Sequence, residues 1–507
     1  MGNDRQSLAA GDVMCQADQV ARLAPHLEDG FRQAGPRAAT AVATRLAESL
    51  WREDIGDARR RFHGRVHAFD RVVLDPVEAD PLSLVPHAGL REELASAVTG
   101  LSLAYARKAF QDLKTRGSGF ADMLGLISGL SPDAAGVPLE QLAVEGHNLH
   151  PCGRTRLGWD VLDMLHHDLE TEGTQVRFVA VPPKMVIGDL EVLPVHEWQL
   201  GHLRRRHAGL FADGTISVLD EVWPALPTGA VRTLLTANGY LKLSLDIQVT
   251  STRRTISLAA TRNGPVLSRL IGRLLDERVL LMAETAGGGS TLGSGRELSA
   301  IVRTGLDGRL GPAELAVPGS ALPAIDPITG RSILAGLVDR SGLGALGFVA
   351  AYAGLLLPVV LRLAADHGIG LEAHLQNVVP TFVGGRPHRL GLRDFAGLRI
   401  MADRAPQLWP GSVIVTNDRR VMLSKVAYTA FQAHLGEIVL RLTESHGLDE
   451  ELAWAGVRTV VDETLDGHPD HAFYTAPTMP HKALTRMRLA EAGAGDMYVP
   501  VRNPLHG

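Results

Sequence analysis

Cysteine and aromatic residues are scarce in this chain of 507 residues. It has two cysteines, Cys15 and Cys152, and no CxxC pair, so the sequence indicates neither a disulfide framework nor a cysteine-held zinc site. We expect a reducing, cytoplasmic location, and the N-terminus lacks the basic start and apolar core of a signal peptide. Aromatic residues are 5% of the chain and the net charge is −5. A base-stacking platform is therefore disfavoured, and no nucleic-acid partner is expected.

Charge is also absent from one long apolar run, residues 341–361. The run is long enough to span a bilayer. However, it contains Pro358 and several glycines, and no second such run accompanies it. We therefore predict a buried core helix and no membrane association.

The chain is longer than one ordinary domain, and its patterning changes twice. Helical spacing of apolar residues dominates up to about residue 130, short apolar runs broken by Pro and Gly follow, and helical patterns return after residue 330. We predict an α+β protein with domains at 1–135, 136–330 and 331–507. The glycine-rich segment 285–295 is predicted to be a linker or a loop over a ligand. It is not a P-loop, because no GK[ST] follows the glycines.

Strict alternation over residues 240–250, YLKLSLDIQVT, predicts one strand with an apolar face and a polar face. One interpretation is that the polar face meets water. The other is that Lys242, with Arg232 before it and Arg254 after it, binds a polyphosphate or polycarboxylate. A flat strand would hold Lys242 about 26 Å from Thr250, so one ligand could contact both only if the strand curves.

A second alternation, in residues 371–377, would place Glu372, His374 and Gln376 on one face of a strand. A carboxylate, Glu372, with a neighbouring amide and the later second carboxylate Asp394 offers hard oxygen ligands, which suit Mg²⁺ that is held mostly by substrate phosphates. An ordinary buried set of hydrogen-bonded side chains is the alternative.

A third cluster, EGHNLHPCGRTR at 145–156, carries two histidines three residues apart. Three interpretations stay open, namely a metal site, a turn with hydrogen-bonded imidazoles, and a nucleotide or anion contact. Pro151 breaks any helix here, and no further metal ligand accompanies the histidines at helical spacing except Glu145.

Several motifs, in this order, resemble those of the siderophore synthetases that work independently of non-ribosomal peptide synthetases, the aerobactin-synthetase (IucA/IucC) family. The family's EGHPxHPxxKxR looks like 145–156, its HPWQ looks like HEWQ at 196–199, and its SxRT looks like AVRT at 230–233. Its KL element, with Thr and Arg eight and twelve residues later, matches Lys242, Thr250 and Arg254. Its ExHxQN, RD and KxLxRMRL match 372–377, 393–394 and 482–489.

The resemblance implies an ATP-dependent ligase that adenylates a carboxylic acid, citrate in many relatives, and joins it to an amine or alcohol. It also implies a homodimer and a cupped hand of three domains, with a helical N-terminal domain, a central antiparallel sheet and a mixed α/β C-terminal domain. It assigns ATP to His147, His150, Arg154, Arg156, Arg232, Thr233, Lys242 and Arg254. It assigns the carboxylic acid to Thr250, Arg254, His374 and Gln376, and Mg²⁺ to Glu372, Asn377 and Asp394. Arg254, His374 and Lys242 would be the catalytic residues, with His374 a candidate base.

The chain departs from the family pattern at four positions. Ala230 stands in place of Ser, Asn148 and Glu197 in place of Pro, and Arg154 in place of Lys. The loss of the Ser hydroxyl is tolerable if Thr228 or Thr233 supplies a replacement.

Two alternatives to a ligase stay open. A kinase-like phosphotransferase is suggested by DFAG at 394–397, but a kinase HRD Asp and a glycine-rich loop are missing. A non-catalytic iron-handling protein is the other alternative, because the C-terminal part of the family resembles ferric-siderophore reductases. An iron–sulfur version needs a cysteine cluster, which the C-terminal third lacks.

Overall fold

The computed structural model describes residues 8–490 and 495–507. Its mixture of helices and antiparallel sheet confirms the predicted α+β class, while the division into three domains stays a prediction.

Two long helices organise the N-terminal part. The second and fourth helices pack along each other through fully buried residues that include Leu46, Leu94 and Leu101. A small antiparallel hairpin, which the helical pattern did not predict, follows the third helix. The elements are α1 Leu8–Leu23, α2 Glu28–Arg52, α3 Ala58–Arg61, β1 Gly64–His67, β2 Arg71–Leu74, α4 Ala88–Arg116, α5 Met123–Leu126 and α6 Pro132–Gln141.

The central part is built on an eight-stranded sheet in the order β4-β12-β13-β8-β7-β6-β3-β5. Every neighbouring pair is antiparallel, as predicted. The elements are α7 Val161–His167, β3 Thr174–Ala180, β4 Val186–Gly188, β5 Leu193–His196, α8 Glu197–Arg206, α9 Ala208–Ala212, β6 Ser217–Pro227, β7 Thr233–Thr236, β8 Gly239–Leu243, β9 Leu245–Val249, β10 Thr252–Arg254, α10 Leu258–Gly272, β11 Val279–Leu281, β12 Glu284–Ser290, β13 Ser299–Arg303 and β14 Glu314–Ala316.

The prediction of one continuous strand over residues 240–250 is wrong. The chain breaks at Ser244, whose hydroxyl donates to the carbonyl of Arg296 and accepts from the amide of Ile256. β8 stays in the large sheet, whereas β9 leaves it and forms a hairpin with β10. Because the chain turns back after Thr250, Arg254 pairs opposite Leu245 and also donates to the hydroxyl of Thr250. Arg254 rather than Thr250 therefore returns towards the end of β8.

The predicted loop at 285–295 is also wrong, because most of it is the buried strand β12. Helix α10 packs directly on this strand. A Cβ at Gly287 would overlap the carbonyl oxygen of Thr261, and one at Gly264 would overlap the carboxylate of Glu284. The glycines therefore permit close contact between helix and sheet rather than flexibility.

The C-terminal part surrounds one long helix, Gly344–His367, which ends at the left-handed Gly368. Its residues Phe348, Tyr352, Leu356 and Leu361 are fully buried, so the predicted core helix is confirmed. Within the described residues it is the one helix long and apolar enough to cross a membrane. The elements are α11 Ile333–Ser341, α12 Gly344–His367, β15 Ile369–Gly370, β16 Val378–Val383, β17 Arg386–Leu392, β18 Arg399–Met401, β19 Val415–Thr416, α13 Arg419–Val426, α14 Gly436–His446, α15 Glu450–Thr464, α16 His471–Tyr474, β20 Thr478–Lys482, α17 Leu484–Leu489 and β21 Tyr498–Arg502.

A second sheet, in the order β11-β17-β16-β14, combines strands from both sides of residue 330. Its strand β17 ends immediately before Arg393 and Asp394. This sheet therefore brings the RD motif to the edge of the central part.

The predicted strand over residues 371–377 is wrong as well. Residues 371–374 are extended but unpaired, and a short 3-10 turn, Leu375–Asn377, leads into β16. A nine-residue π-helix, Ala427–Leu435, lies between α13 and α14. π-Helical segments are rare and frequently occur at functional sites.

Candidate active site

Most of the predicted site residues lie on loops and strand ends that converge between the two sheets. Thr233 of β7 is directly opposite Lys242 of β8, and Lys242 reaches Asp394 in the loop after β17. The charges of Asp394 and Glu372 both act on Arg254. Segments that are far apart in sequence therefore form one charged site.

Backbone strain is concentrated at this site. Six described residues other than glycine have a positive φ, and Val231, Thr250 and Asp394 are three of them, with φ of 64°, 56° and 65°. The left-handed region is unfavourable for β-branched side chains in particular. Strain of this kind persists only where the surrounding structure imposes it, typically around functional residues.

Two neighbouring arginines form the cationic side of the site. Arg232 donates from Nη1 to the carbonyls of Arg254 (2.7 Å) and Thr255 (3.2 Å), and Arg254 donates from Nη2 to the carbonyl of Val249 and the hydroxyl of Thr250. Neither forms an ion pair with a carboxylate in the described part of the chain. Nε of Arg254 is buried without a partner, as is the hydroxyl of Thr233. These free donors suit an anionic ligand.

Electrostatics support this interpretation. Burial, together with the positive charges of Arg232 and Arg156, lowers the pKa of Arg254 to about 9. A buried cation without a counterion is costly, and a bound anion removes that cost. The hydroxyl of Thr228 is already used on the carbonyl of Thr233. Thr233 is therefore the better replacement for the hydroxyl that is absent at Ala230.

Lys242 lies at the centre of a buried ion-pair network. It is 1% exposed, and its Nζ is 2.7 Å from Oδ1 of Asp394 and 3.7 Å from Oε1 of Glu284. Arg303 lies 3.5 Å from Asp394 and 3.7 Å from Glu284. Burial raises the pKa of Asp394, but Lys242, Arg303 and Arg232 outweigh it and hold that pKa well below its usual range. Asp394 is therefore ionised at neutral pH.

Glu372 supplies a second ionised carboxylate. Its Oε1 is 2.9 Å from Nζ of Lys425, which helps to keep its pKa below the usual range despite burial. Oε2 lies against Gly397 of the DFAG turn, where a Cβ would overlap it. The amide nitrogen of Asn377 donates to the backbone carbonyl of Glu372. That bond orients the side chain of Asn377 and leaves its amide oxygen available as a ligand.

His374 follows Glu372 by two residues, and its backbone is held by the π-helix. His434 of that helix donates from Nδ1 to the carbonyl of Ala373 at 2.9 Å, and Tyr352 of α12 donates to its Nε2 at 2.8 Å. Burial lowers the pKa of His374 below its usual value of 6.5. His374 is therefore neutral near pH 7 and able to accept a proton. This network explains why the loop keeps one conformation without sheet pairing.

The EGHNLHP segment folds as a turn. His147 is half-buried with its ring centroid 6.4 Å from that of His374, and burial lowers its pKa to about 3. The amide of Cys152 donates to Nδ1 of His150, and Nε2 of His150 is 2.6 Å from the hydroxyl of Ser251. The two imidazoles are thus neutral and in part hydrogen-bonded within the protein. This arrangement corresponds to the second interpretation, a turn with hydrogen-bonded imidazoles. Asn148 donates to the carbonyl of Ala433 and so supports the π-helix.

Arg154 and Arg156 are buried and already paired. Nη2 of Arg154 is 2.7 and 2.8 Å from the two carboxylate oxygens of Glu170, and Arg156 donates from Nε and Nη2 to Asp168 and from Nη1 to a carbonyl. Both arginines are 3% exposed. Within the described residues Nε of Arg154 has no partner, but the other contacts of both guanidinium groups are to carboxylates or carbonyls of the chain. Their assignment to ATP stays a prediction, and the contacts favour a positioning role.

Gln376 and Arg393 bind the loops of the site to each other. Arg393 donates from Nε to the carbonyl of Gln376 and forms a buried ion pair with Glu140 of α6. Glu140 also accepts from the amide of Gly229, next to the Arg232 loop. The side chain of Gln376 lies near Gly229.

Sequence reasoning missed several residues of the site. Arg303 and Glu284 are almost fully buried beside Lys242, yet nothing in their strand patterns distinguishes them from ordinary sheet residues. Lys425 lies in a helical pattern, and its pairing with Glu372 depends on the tertiary fold. Polar residues in otherwise buried strands were the one available signal for Arg303 and Glu284.

Two protein-family models match the chain. The IucA / IucC family matches residues 136–191 and 187–324, and the ferric iron reductase FhuF-like transporter family matches residues 347–497. A D-ornithine–citrate ligase of Staphylococcus aureus is 25% identical over 459 residues, covering 72% of this chain and 70% of the relative. The chain is therefore similar in sequence to the IucA / IucC family and to a citrate ligase, as the motifs predicted.

Solved structures show the same fold. The petrobactin biosynthesis protein AsbB of Bacillus anthracis aligns with a TM-score of 0.79 and 19% identity, covering 95% of this chain and 98% of that chain. ATP-bound aerobactin synthetase IucA of Klebsiella pneumoniae aligns with a TM-score of 0.72 and 20% identity, covering 92% and 99%.

The donor sets fit the ligands that this family implies. Free Nε of Arg254, the hydroxyl of Thr233 and the unpaired Arg232 are donors for a triphosphate or a carboxylate. Glu372, Asn377 and Asp394 offer hard oxygen atoms, which Mg²⁺ prefers. No group of three or more His, Cys, Asp or Glu able to hold a metal occurs in the described residues. A metal here would therefore need oxygen atoms from the substrate as well.

The buried pair Lys242–Asp394 leads to a prediction about stability. Lys242→Met removes the ammonium and leaves Arg303 as the remaining ion-pair partner of Asp394 and Glu284. We therefore expect a loss near the lower end of about 3–5 kcal/mol in the free energy of unfolding. The matched control is Lys108→Met, because Lys108 lies the same 2.7 Å from Asp112 on a helix surface where both side chains are partly exposed. That change should cost less than about 1 kcal/mol. Denaturant unfolding of the three proteins measures the difference, and equal losses would contradict the role given to Lys242.

Proposed function

We propose that this protein is an ATP-dependent ligase that adenylates citrate, or a citrate- or succinate-type acid, and condenses it with an amine or alcohol. The product would be an amide or ester in siderophore biosynthesis or a related natural-product pathway. One observation carries the proposal, namely that two unpaired arginines face two ionised carboxylates across the site. The homology to a D-ornithine–citrate ligase supports the reaction class.

The chemistry requires this combination of charges. An ionised carboxylate is a poor electrophile, so ligation begins by converting it to an acyl-adenylate with release of pyrophosphate. Negative charge then develops on the departing pyrophosphate, and fixed cations in a buried site stabilise it. Arg232, Thr233 and Lys242 are the groups proposed to hold the triphosphate. Arg254 is next to Arg232 and donates to the hydroxyl of Thr250, so it is proposed to bind the acid as well.

Mg²⁺ is proposed to bind Glu372, Asn377 and Asp394, where it would neutralise phosphate charge. His434 of the π-helix binds the carbonyl of Ala373, the residue after Glu372, and so fixes the backbone there. Gly397 leaves space for the carboxylate of Glu372. His147, His150, Arg154 and Arg156 are proposed to form the nucleotide side, with Arg154 and Arg156 positioning the turn through Glu170 and Asp168.

In the second step the amine or alcohol attacks the acyl carbon. Gln376 and His374 are proposed to orient the acid, and His374 to accept the proton that the nucleophile loses. The low pKa of His374 leaves it neutral before the reaction, as a base requires.

The remaining parts of the proposal concern the molecule as a whole. We expect a homodimer in the cytoplasm that acts on small molecules, without nucleic acid or membrane. Of the two alternatives, a phosphotransferase would give ADP rather than AMP. An iron-handling role of the FhuF-like segment 347–497 would have to operate without a cysteine cluster, since both cysteines precede that segment.

The first prediction concerns the nucleotide product. The purified protein, incubated with ATP, Mg²⁺, hydroxylamine and an acid from a panel of citrate, succinyl-hydroxamates and 2-oxoglutarate, should release AMP, pyrophosphate and an acid hydroxamate. Pyrophosphate and nucleotide assays measure this. ADP as the product would support the phosphotransferase instead, and absence of pyrophosphate with every acid from folded protein would exclude adenylation.

The second prediction compares the effects of replacing two adjacent arginines, Arg253 and Arg254, on activity. Arg254→Gln should lower kcat/KM by about 100-fold or more, because it removes the unpaired buried donor. Arg253→Gln is the matched control, because Arg253 is exposed and pairs with Asp246 at the rim. It should stay within about 2-fold of wild type. Equal activities for the two variants at equal melting temperatures would remove Arg254 from the site.

The third prediction concerns the base. Because burial holds the pKa of His374 below 6.5, the neutral base is present down to that lower pH, and the acid limb of kcat/KM for condensation should lie below pH 6.5. His374→Gln should slow condensation with the amine by about 100-fold or more. It should affect hydroxamate formation less, because hydroxylamine is uncharged near neutrality. Equal loss in both assays would show that His374 only positions the acid.

A further inference from the structure

A second cationic cavity lies away from the candidate active site. It separates the N-terminal α2 and the β1–β2 hairpin from the π-helix, α14 and α15 of the C-terminal part. The cavity is partly open to solvent, and its enclosed part has room for about one water-sized group. Its walls include Arg52, Arg71, Trp454, His67, Gln432 and His481. None of the residues assigned above to ATP, acid or metal lines it.

Arg52 is a buried cation with no counterion. The residue is 4% exposed, and within the described residues no carboxylate lies within ion-pairing distance of its guanidinium. Nε has no hydrogen-bond partner. The neighbouring Glu53 is not available, because its oxygens accept from the hydroxyl of Ser49 and the amides of Thr485 and Arg486. Burial lowers the pKa of Arg52 to about 10, with a further contribution from Arg71.

Two more unpaired donors line the same cavity. Nη2 of Arg71 is bound to Glu437 at 2.8 Å, but Nη1 has no partner, and neither has the indole nitrogen of Trp454. Two acceptors in the wall are already engaged, since Oε1 of Glu450 is 2.6 Å from Nδ1 of His67 and Oε1 of Gln432 is 2.6 Å from Nδ1 of His481. The second oxygen of Glu450, a carboxylate that also lines the cavity, has no such partner in the described part of the chain. Buried donors without partners are rare in folded proteins. Three of them around one cavity favour a bound acceptor.

We propose that this cavity binds a small anion, of the size of chloride, between Arg52, Arg71 and Trp454. A water molecule could accept hydrogen bonds there, but it would leave the charge of Arg52 uncompensated in a buried site. The enclosed space admits a group of about the size of one water molecule or one monatomic ion, so a nucleotide or adenylate is too large.

The position of the cavity gives the anion a structural consequence. Arg52 and Arg71 belong to the N-terminal part, whereas Trp454 belongs to α15. The wall also contains Gln432 of the π-helix, two residues before His434, which holds the backbone beside His374. A bound anion therefore ties the N-terminal helices to the support of the active-site loop. The inference does not depend on the proposed ligase activity.

Thermal unfolding in mixtures of sodium chloride and sodium gluconate at constant ionic strength tests the site. We expect chloride to raise the Tm of the full-length wild-type protein with saturation, by about 1–2 °C at roughly ten times Kd. Arg52→Gln should abolish this rise. Arg60→Gln is the matched control, since Arg60 is exposed on α3, and it should keep the rise. Equal chloride dependence in wild type and Arg52→Gln would overturn the proposal.

A second measurement covers the case in which Arg52→Gln does not fold. Trp454→Phe keeps the aromatic packing and removes only the N–H donor, so it should weaken the chloride effect. Crystals of the wild-type protein grown with sodium bromide should show an anomalous peak between Arg52 and Arg71. A cavity without that peak would refute the site, whatever the variants do.

Discussion

The ion pair between Lys242 and Asp394 is the contact on which the rest of the site depends. Lys242 is on β8 of the central eight-stranded sheet, and Asp394 lies just after β17 of the four-stranded sheet. Their 2.7 Å contact joins the two halves in a region where an unpaired charge would be expensive. Asp394 has a left-handed backbone conformation where it forms this contact. This contact therefore fixes the position of the proposed phosphate-binding residues relative to the proposed metal ligands.

The motifs indicated the residues of the candidate site better than the alternating patterns indicated the secondary structure that positions them. The spacing of Lys242, Thr250 and Arg254 pointed to one ligand. The structure places Arg254 on the hydroxyl of Thr250 and within the influence of the charge of Asp394, the partner of Lys242. It does so by a break at Ser244 that the alternating pattern conceals, because the hydrogen bond from Ser244 to the carbonyl of Arg296 is a contact 52 residues away. The extended segment around Glu372 looked like a strand for the same reason. Its conformation is imposed by His434, not by a neighbouring strand.

Residues outside the motifs could not be predicted because their roles exist only in the folded protein. Arg303 and Lys425 resemble any sheet or helix residue in sequence, yet they complete the charge balance of Asp394 and Glu372. The departures from the family pattern become intelligible in the same way. Asn148 gains a contact with the end of the π-helix, and the free hydroxyl of Thr233 lies near the position where Ala230 lacks one.

The two sides of the site differ in how their charges are compensated. Lys242 and Lys425 neutralise the carboxylates of Asp394 and Glu372, so those oxygens remain ionised before any substrate arrives. Arg232 and Arg254 have only carbonyls and a hydroxyl as partners, so their positive charge is available to an incoming anion. Overall net charge is a poor guide to such a site. A chain of net charge −5 concentrates uncompensated positive charge where a polyanion would bind.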